Sequence, residues 1–338
     1  MIIRAQAFAR AGLVGNPSDG YYGKTISFII RDFCATVTLY ESPELEILPN
    51  TRDYSRFASL AGLAEDVARH GYYGGIRLLK ATARRFHQYC QEQGLRLDDR
   101  NFTLRYTSDI PNQVGLAGSS AIVTACLRAL LAFYGVAIPK AVQPTLILQV
   151  ETGELGIPAG LQDRVIQVYE GLVYMDFGRE WFARQGRGEY EELDPRLLPP
   201  LYVAYRTDLA EGTEVFHNDI AGRFQRGEPA VVAAMQYWAN LASEVRACLL
   251  ERRLDAIPAL LNRNFDKRRE IYQIGAGNLE MVAAARSVGA SAKFTGSGGA
   301  IVGTYEDEAM YARLVAKLAP LGIGVLKPTI LAGPPEDV

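Results

Sequence analysis

Two periodicities alternate along this chain. Residues 25–33 (TISFIIRDF) and 35–40 (ATVTLY) are dense in β-branched and aromatic side chains, which predicts two early strands. Ile76, Leu79, Ala83, Phe86 and Cys90 recur at three- and four-residue steps, so 75–92 is expected to be an amphipathic helix. Phe102, Leu104 and Tyr106 alternate with polar residues, a strand that should end at Asp109-Ile110-Pro111. From Ala121 to Phe133 the chain is apolar around most of a helical circumference, which predicts a buried helix, and Gly135 is placed to end it. Residues 171–177 (GLVYMDF) predict a further strand.

The pattern then changes. Charges and glycines gather over 178–200, with Asp194-Pro195 and Pro199-Pro200 as punctuation. This is the expected boundary between an N-terminal domain, 1–185, and a C-terminal domain, 186–338. Beyond it come a strand at 201–205, helical patterns near 213–226, 229–251, 254–272 and 277–288, and a strand pair around 296–299. A helix near 306–318 and a strand near 322–327 complete the chain. Trp238 reads most simply as core. Strands and helices mix without regular alternation, so the expected class is α+β rather than a doubly wound sheet.

Composition narrows the chemistry. At about 150 residues per domain, 338 residues suggest two domains. Lys and Arg number 36 against 38 Asp and Glu, a net charge of −2, so no global basic field invites nucleic acid. No apolar run approaches the roughly 20 residues of a membrane span. Arg4 and Arg10 interrupt the N-terminal segment before a signal sequence can build. Cys34, Cys90, Cys126 and Cys248 lie far apart without CxxC spacing, which disfavours zinc and a disulfide framework. His70, His87 and His217 share no metal spacing, and His87 falls on the polar side of its helix. The expectation is a soluble, reduced, cytoplasmic protein.

Three glycine-rich segments carry the candidate chemistry. GNPSDGYYGKT (15–25) comes close to a P-loop, but Ser18 stands where the first glycine belongs and a strand pattern follows where a helix is required. It reads better as a turn with unusual polar equipment: Arg10, Asp19 and Lys24. In the second segment, Pro111 turns the chain, Gly115 and Gly118 allow close backbone approach, and Ser119 and Ser120 head a long apolar helix. That helix end suits a phosphate chain, while a plain serine N-cap is the competing explanation. The third, Lys293-Phe294-Thr295-Gly296-Ser297-Gly298-Gly299, is either a tight β-connection or a loop pressed against a ligand. Between them, Asp163 opens a short helical pattern and could orient a hydroxyl and take its proton. Glu151, twelve residues upstream, could hold Mg²⁺. On the pattern alone each carboxylate reads more readily as structural, Asp163 as a helix-end charge.

The order of these motifs resembles the GHMP kinase superfamily. Pro111, Gly115, Leu116, Ser119, Ser120 and Ala121 match its phosphate loop, Lys293 to Gly299 its closing glycine motif, and Arg10 with Gly15 its opening motif. Asn16-Pro17 replaces the usual Glu-His. Within the superfamily the runs ARAGLVGNPSDGYYGKTISF, GLAGSSAIV, ELGIPAGLQDRVIQVYEGLVYMDF, NRNFDKRR and KFTGSGGAIV are similar to the glucuronokinase group. The resemblance implies a two-domain fold, S5-like then ferredoxin-like, with the site between the halves, and ATP-dependent phosphorylation of D-glucuronate at its anomeric hydroxyl. It implies that Pro111, Gly115, Leu116, Ala117, Gly118, Ser119, Ser120 and Ala121 bind ATP, with Ser120 and Glu151 on Mg²⁺. Asp163 is then the base or hydroxyl-orienting group and Arg10 the cation that stabilises the transferring phosphoryl. Asp19 would hold sugar hydroxyls, and Gly296, Ser297 and Gly298 would close over the acceptor. A uronate carboxylate needs a cationic partner: Lys24 and Arg164 are the candidates, with an interior salt bridge an equal reading of Arg164, and Arg268 or Arg269 as alternatives. A kinase for another sugar, such as galacturonate, galactose or a heptose, and an idle binding protein of the same fold are the rivals. The expected partners are a sugar acid and ATP, with neither nucleic acid nor membrane, and an assembly of identical subunits is allowed.

Overall fold

The computed structural model describes residues 1–49, 59, 74–206 and 220–331. His70, His217 and the first part of the helical pattern at 213–226 lie outside them. The chain divides into two compact units, neither continuous in sequence. The first comprises Met1–Ala9, Phe33–Ile110 and Ala117–Val168, and the second Arg10–Asp32, Pro111–Leu116 and Tyr169–Val338.

The first unit takes the opening residues of β1 (Ile2–Val14), a strand that the hydrophobic pattern did not announce. Its inward positions there are small, Ala7 and Ala9, opposite exposed Arg4 and Gln6, so the alternation exists without large apolar residues to mark it. The two patterns at 25–33 and 35–40 are a single strand, β2 (Lys24–Glu41), because one half-buried cysteine between them does not interrupt a ladder. After the short β3 (Glu46–Ile47) comes α1 (Gly75–Glu92), which buries Leu78, Leu79, Phe86 and Cys90 and leaves His87 exposed, as an amphipathic helix must. β4 (Phe102–Ser108) runs antiparallel to the second half of β2, with Val37 opposite Tyr106 and Leu39 opposite Leu104, all four buried, and β3 pairs with β4 in parallel.

Helix α2 (Gly118–Tyr134) begins three residues before its apolar run and buries nearly all of it. Gly135 adopts a left-handed φ of 64° and returns its N–H to Leu131 O, the cap expected of a terminal glycine. α3 (Gln143–Gln149) passes into a π-helical turn, Val150–Glu154, and α4 (Gln162–Tyr169) closes the unit.

In the second unit the first half of β2 pairs with β5 (Leu172–Asp176), Lys24 opposite Asp176 and Phe28 opposite Leu172. The charged segment after it is structured: α5 (Arg179–Gln185) leads into β6 (Glu189–Leu193), which extends the ladder antiparallel to β5. Next come β7 (Leu201–Tyr205), α6 (Pro229–Leu250), α7 (Ile257–Ile271), α8 (Ala276–Arg286), β8 (Lys293–Phe294), β9 (Ala300–Thr304), α9 (Glu308–Leu318) and β10 (Gly324–Leu326). The last four strands form an antiparallel sheet in the order β10-β7-β9-β8. Tyr202, Phe265, Met281, Phe294, Ile301 and Leu314 are buried together against it. Trp238 is fully buried and donates Nε1 to Asn264 O at 3.0 Å, a core residue as its position on α6 suggested. Among the described residues no helix is long and apolar enough to cross a membrane.

Candidate active site

The loop before α2 is bent by alternation. Gln113, Gly115 and Ala117 have φ of 55°, 70° and 63°. Left-handed residues interleaved with ordinary ones turn successive N–H groups to one side, an arrangement that suits an anion. Holding a non-glycine residue there costs about 1–2 kcal/mol, so Gln113 and Ala117 mark a site under constraint. Ala117 is the N-cap and offers no side-chain acceptor to the first-turn amides. The amide of Ala121 bonds back to Ala117 O at 3.2 Å.

The two serines at the helix head do different things. Ser119 donates Oγ to Glu151 Oε1 at 2.8 Å. Ser120 is fully buried and donates to Ala117 O at 3.2 Å. Neither caps the helix in the ordinary way. Glu151, in the π-helical turn, is 1% exposed, and its other oxygen accepts from Arg164 Nε at 3.0 Å and from Arg164 Nη2. Arg164 thereby forms an interior salt bridge, one of the two readings its position allowed. Its Nη1 donates to Gly160 O at 2.9 Å and lies 3.5 Å from Asp163 Oδ2. Asp163 is partly exposed in the first turn of α4, where a carboxylate is favoured by the helix dipole. The first unit thus links Ser119, Glu151, Arg164 and Asp163 in one connected network.

Gln167, which the motifs did not single out, ties the N-cap of α2 to β1. Buried one turn beyond Asp163, it donates Nε2 to Ala117 O at 2.9 Å and to Phe8 O at 3.1 Å. The only sequence sign was its four-residue spacing from Asp163 on a short helix.

In the second unit the glycine loops meet each other. A Cβ on Gly115 would lie 2.9 Å from Gly298 O, and one on Gly296 would lie 2.6 Å from Gly115 O. These residues are glycine because two backbones touch there. Arg10 is buried and donates Nη1 to Gly115 O at 2.6 Å and to Thr295 O at 3.3 Å. Arg268 is also buried, bonded to Gly296 O at 2.9 Å and Ser297 O at 3.2 Å. Leu116 packs beside them, its carbonyl accepting from the Arg10 amide at 3.2 Å.

Lys293 begins the closing motif and is 1% exposed, with Nζ 2.5 Å from both Gly12 O and Asn16 Oδ1. Burial, then the Arg268 and Arg10 charges, hold its ammonium well below the usual lysine range. Asn16, the departure from the superfamily's opening motif, also donates to Phe294 O at 3.4 Å, and Asn264 donates to Asn16 O at 3.1 Å. Asn264, from the NRNFDKRR run, was not singled out as a site residue. Asp19 lies close enough to Tyr21, Tyr272 and Arg268 to act on their charges. Lys24 forms a cross-strand ion pair with Asp176 at 2.9 Å.

Comparison with known proteins places the chain in a family. Residues 77–171 match the family described as GHMP kinases N terminal domain. A probable glucuronokinase 2 of Arabidopsis thaliana is 47% identical over 308 residues, covering 89% of this chain and 84% of the relative. Glucuronokinase 1 of the same plant is 45% identical over 306 residues, with the same coverage of each chain. A crystal structure of Lactococcus lactis galactokinase complexed with galactose superposes with a TM-score of 0.76 at 15% identity, covering 97% of this chain and 93% of that one. Fold and sequence agree: the chain belongs to the GHMP kinases and, within them, to the glucuronokinase family.

Proposed function

We propose that this protein transfers the γ-phosphoryl group of ATP to the anomeric hydroxyl of D-glucuronate, giving glucuronate 1-phosphate and ADP. The observation that carries the reading is 47% identity to a probable glucuronokinase over 89% of the chain.

Phosphoryl transfer asks a protein mainly for positioning and charge stabilisation. The backbone amides between Gln113 and Ser120 are the phosphate donors in this reading, after Pro111 turns the chain, while the Ala121 amide already bonds to Ala117 O. Ser119 and Glu151 offer hydroxyl and carboxylate oxygens, the donors a hard cation takes, whereas the Ser120 hydroxyl donates to Ala117 O within the helix head. Among the described residues no group of three or more His, Cys, Asp or Glu could hold a metal by itself. Mg²⁺ keeps waters and substrate phosphates as most of its ligands, so in this reading one or two oxygens of the chain hold it. When bound, Mg²⁺ would neutralise charge on the phosphates. Asp163 aligns the acceptor hydroxyl and accepts its proton, an undemanding task because an anomeric hydroxyl is more acidic than an ordinary alcohol. Arg10 sets the phosphate loop against the closing motif and adds positive charge there. Asp19 and the 296–298 loop hold the sugar. Arg164 is engaged by Glu151, Lys24 by Asp176 and Arg268 by the carbonyls of Gly296 and Ser297. A uronate carboxylate bound at any of the three would share or displace a partner, while Arg269 is exposed. The four unpaired cysteines suit a reducing cytoplasm.

An ADP-release assay over glucuronate, galacturonate, galactose and glucose tests the acceptor, and phosphorus NMR of the product reports which oxygen is phosphorylated. Equal turnover of glucose and glucuronate would overturn the uronate assignment. Wild-type turnover unchanged in both Asp163→Ala and Arg10→Ala would overturn the catalytic assignments.

A further inference from the structure

We propose that Arg164 is a positioning residue that sets Glu151 and Asp163 in a single frame. One planar guanidinium serves three acceptors. Nε and Nη2 hold Glu151 Oε2, and Nη1 bonds to Gly160 O while facing Asp163 Oδ2 at 3.5 Å. On its far side Glu151 accepts from Ser119 at the head of α2. The side chains of Arg164 and Glu151 are only 5% and 1% exposed, so solvent does not loosen the pair.

A buried carboxylate is tolerable only when its charge is matched and its lone pairs are occupied. Arg164 meets that need from one side and leaves Oε1 directed to Ser119. The guanidinium fork also fixes direction, which an ammonium cannot do, because five donors lie in one plane. A carboxylate held this way keeps Oε1 aimed at the head of α2, beside Ser119, while phosphates and cation arrive. Asp163 is adjacent in sequence and shares the same guanidinium, so an error in the Glu151 frame is passed to the acceptor side. Arg164 touches neither phosphate nor sugar in this scheme, and its influence passes through the two carboxylates.

Arg164→Lys tests the idea, since it keeps the charge and loses the fork. The kcat arm rests on the proposed activity: kcat should fall by about tenfold or more while KM for the sugar stays within about twofold. The second arm needs no turnover. The Mg²⁺ concentration that half-maximally stabilises the ATP-bound protein in a thermal melt should rise several-fold, each variant being read against its own melting temperature in EDTA. Ser119→Ala, made alone and in Arg164→Lys, should show non-additive loss of that Mg²⁺ response, because both act through Glu151. Arg164→Gln is carried in parallel, so a cooperatively melting variant is available if one of the two fails to fold. A wild-type Mg²⁺ midpoint in the folded variant overturns the proposal. So does a rise in KM for glucuronate alone, which would place Arg164 on the substrate carboxylate. Failure of the wild type to phosphorylate glucuronate would instead overturn the functional reading, and the magnesium arm would still decide the role of Arg164.

Discussion

Ser119 and Glu151, 32 residues apart in sequence, share a 2.8 Å hydrogen bond, whereas the neighbouring Ser120 turns its hydroxyl into its own helix. The head of α2 therefore presents one hydroxyl toward the buried carboxylate and keeps the other for local structure. Ser119→Ala should lower kcat by about 10–100-fold with a stability change under about 1 kcal/mol, as expected for a lost interaction at a partly exposed position. Ser120→Ala should retain most activity. Steady-state kinetics and urea melts on the two variants check this, and the reverse pattern would return the hydroxyl role to Ser120.

Contact between the two glycine loops makes a separate prediction. Gly115→Ala must hold a left-handed φ of 70° and also place its Cβ 2.9 Å from Gly298 O. Gly135→Ala has nearly the same φ, 64°, with nothing within 4 Å of the added carbon. The second should cost about 1 kcal/mol, the conformational penalty alone. The first should cost clearly more, because a carbonyl in tight backbone contact cannot step aside. Urea unfolding of both variants separates strain from collision. Equal losses would mean that the loops part easily.

How much of this was legible beforehand follows from what each feature depends on. The helix over 75–92 and the strand at 201–205 were legible because periodicity alone decides them. β1 was not, since the buried apolar positions in its first ten residues, Ala7, Ala9 and Ala11, are small, with Leu13 and Val14 the only large apolar residues buried at its end. The network around Glu151 was half legible: its carboxylates and serines stood in recognisable motifs, but Arg164 had two partners consistent with its charge. Only the fold, which buries Glu151 beside it, selects one. Lys293 and Asn16 were visible as motif letters, yet their hydrogen bond joins residues 277 positions apart, a distance no local pattern encodes.

Lys293 gives a pH dependence whose sign is fixed. Its folded value lies well below its ordinary 10.5, so between those two values the unfolded chain carries the extra proton. Stability from this group is complete above 10.5 and is lost as pH falls through the lowered folded value. Within the window the slope is at most about 1.4 kcal/mol per pH unit. Lys293→Met removes the titration. Wild-type stability measured against that variant should therefore grow as pH rises from about 7 to 10, while every other group cancels in the difference. Urea unfolding at several pH values reads it, and a flat difference would show that Lys293 keeps an ordinary affinity for its proton.

Tyr272 has a ring that is well used and a hydroxyl that is not. The ring lies 4.9 Å from the Arg268 guanidinium and 6.4 Å from Trp238, while the hydroxyl is buried without a partner among the described residues. Burial pushes that hydroxyl up to about 12, the mark of a polar group removed from water. Tyr272→Phe keeps both ring contacts and removes the unsatisfied oxygen, so it should be as stable as wild type or gain up to about 1 kcal/mol. Arg268→Met is the opposite case. It abandons the carbonyls of Gly296 and Ser297, both of which accept from this one guanidinium, and should cost about 2–4 kcal/mol. Urea melts of the two variants test the asymmetry. A loss above about 1 kcal/mol in Tyr272→Phe would mean the hydroxyl is hydrogen-bonded in solution.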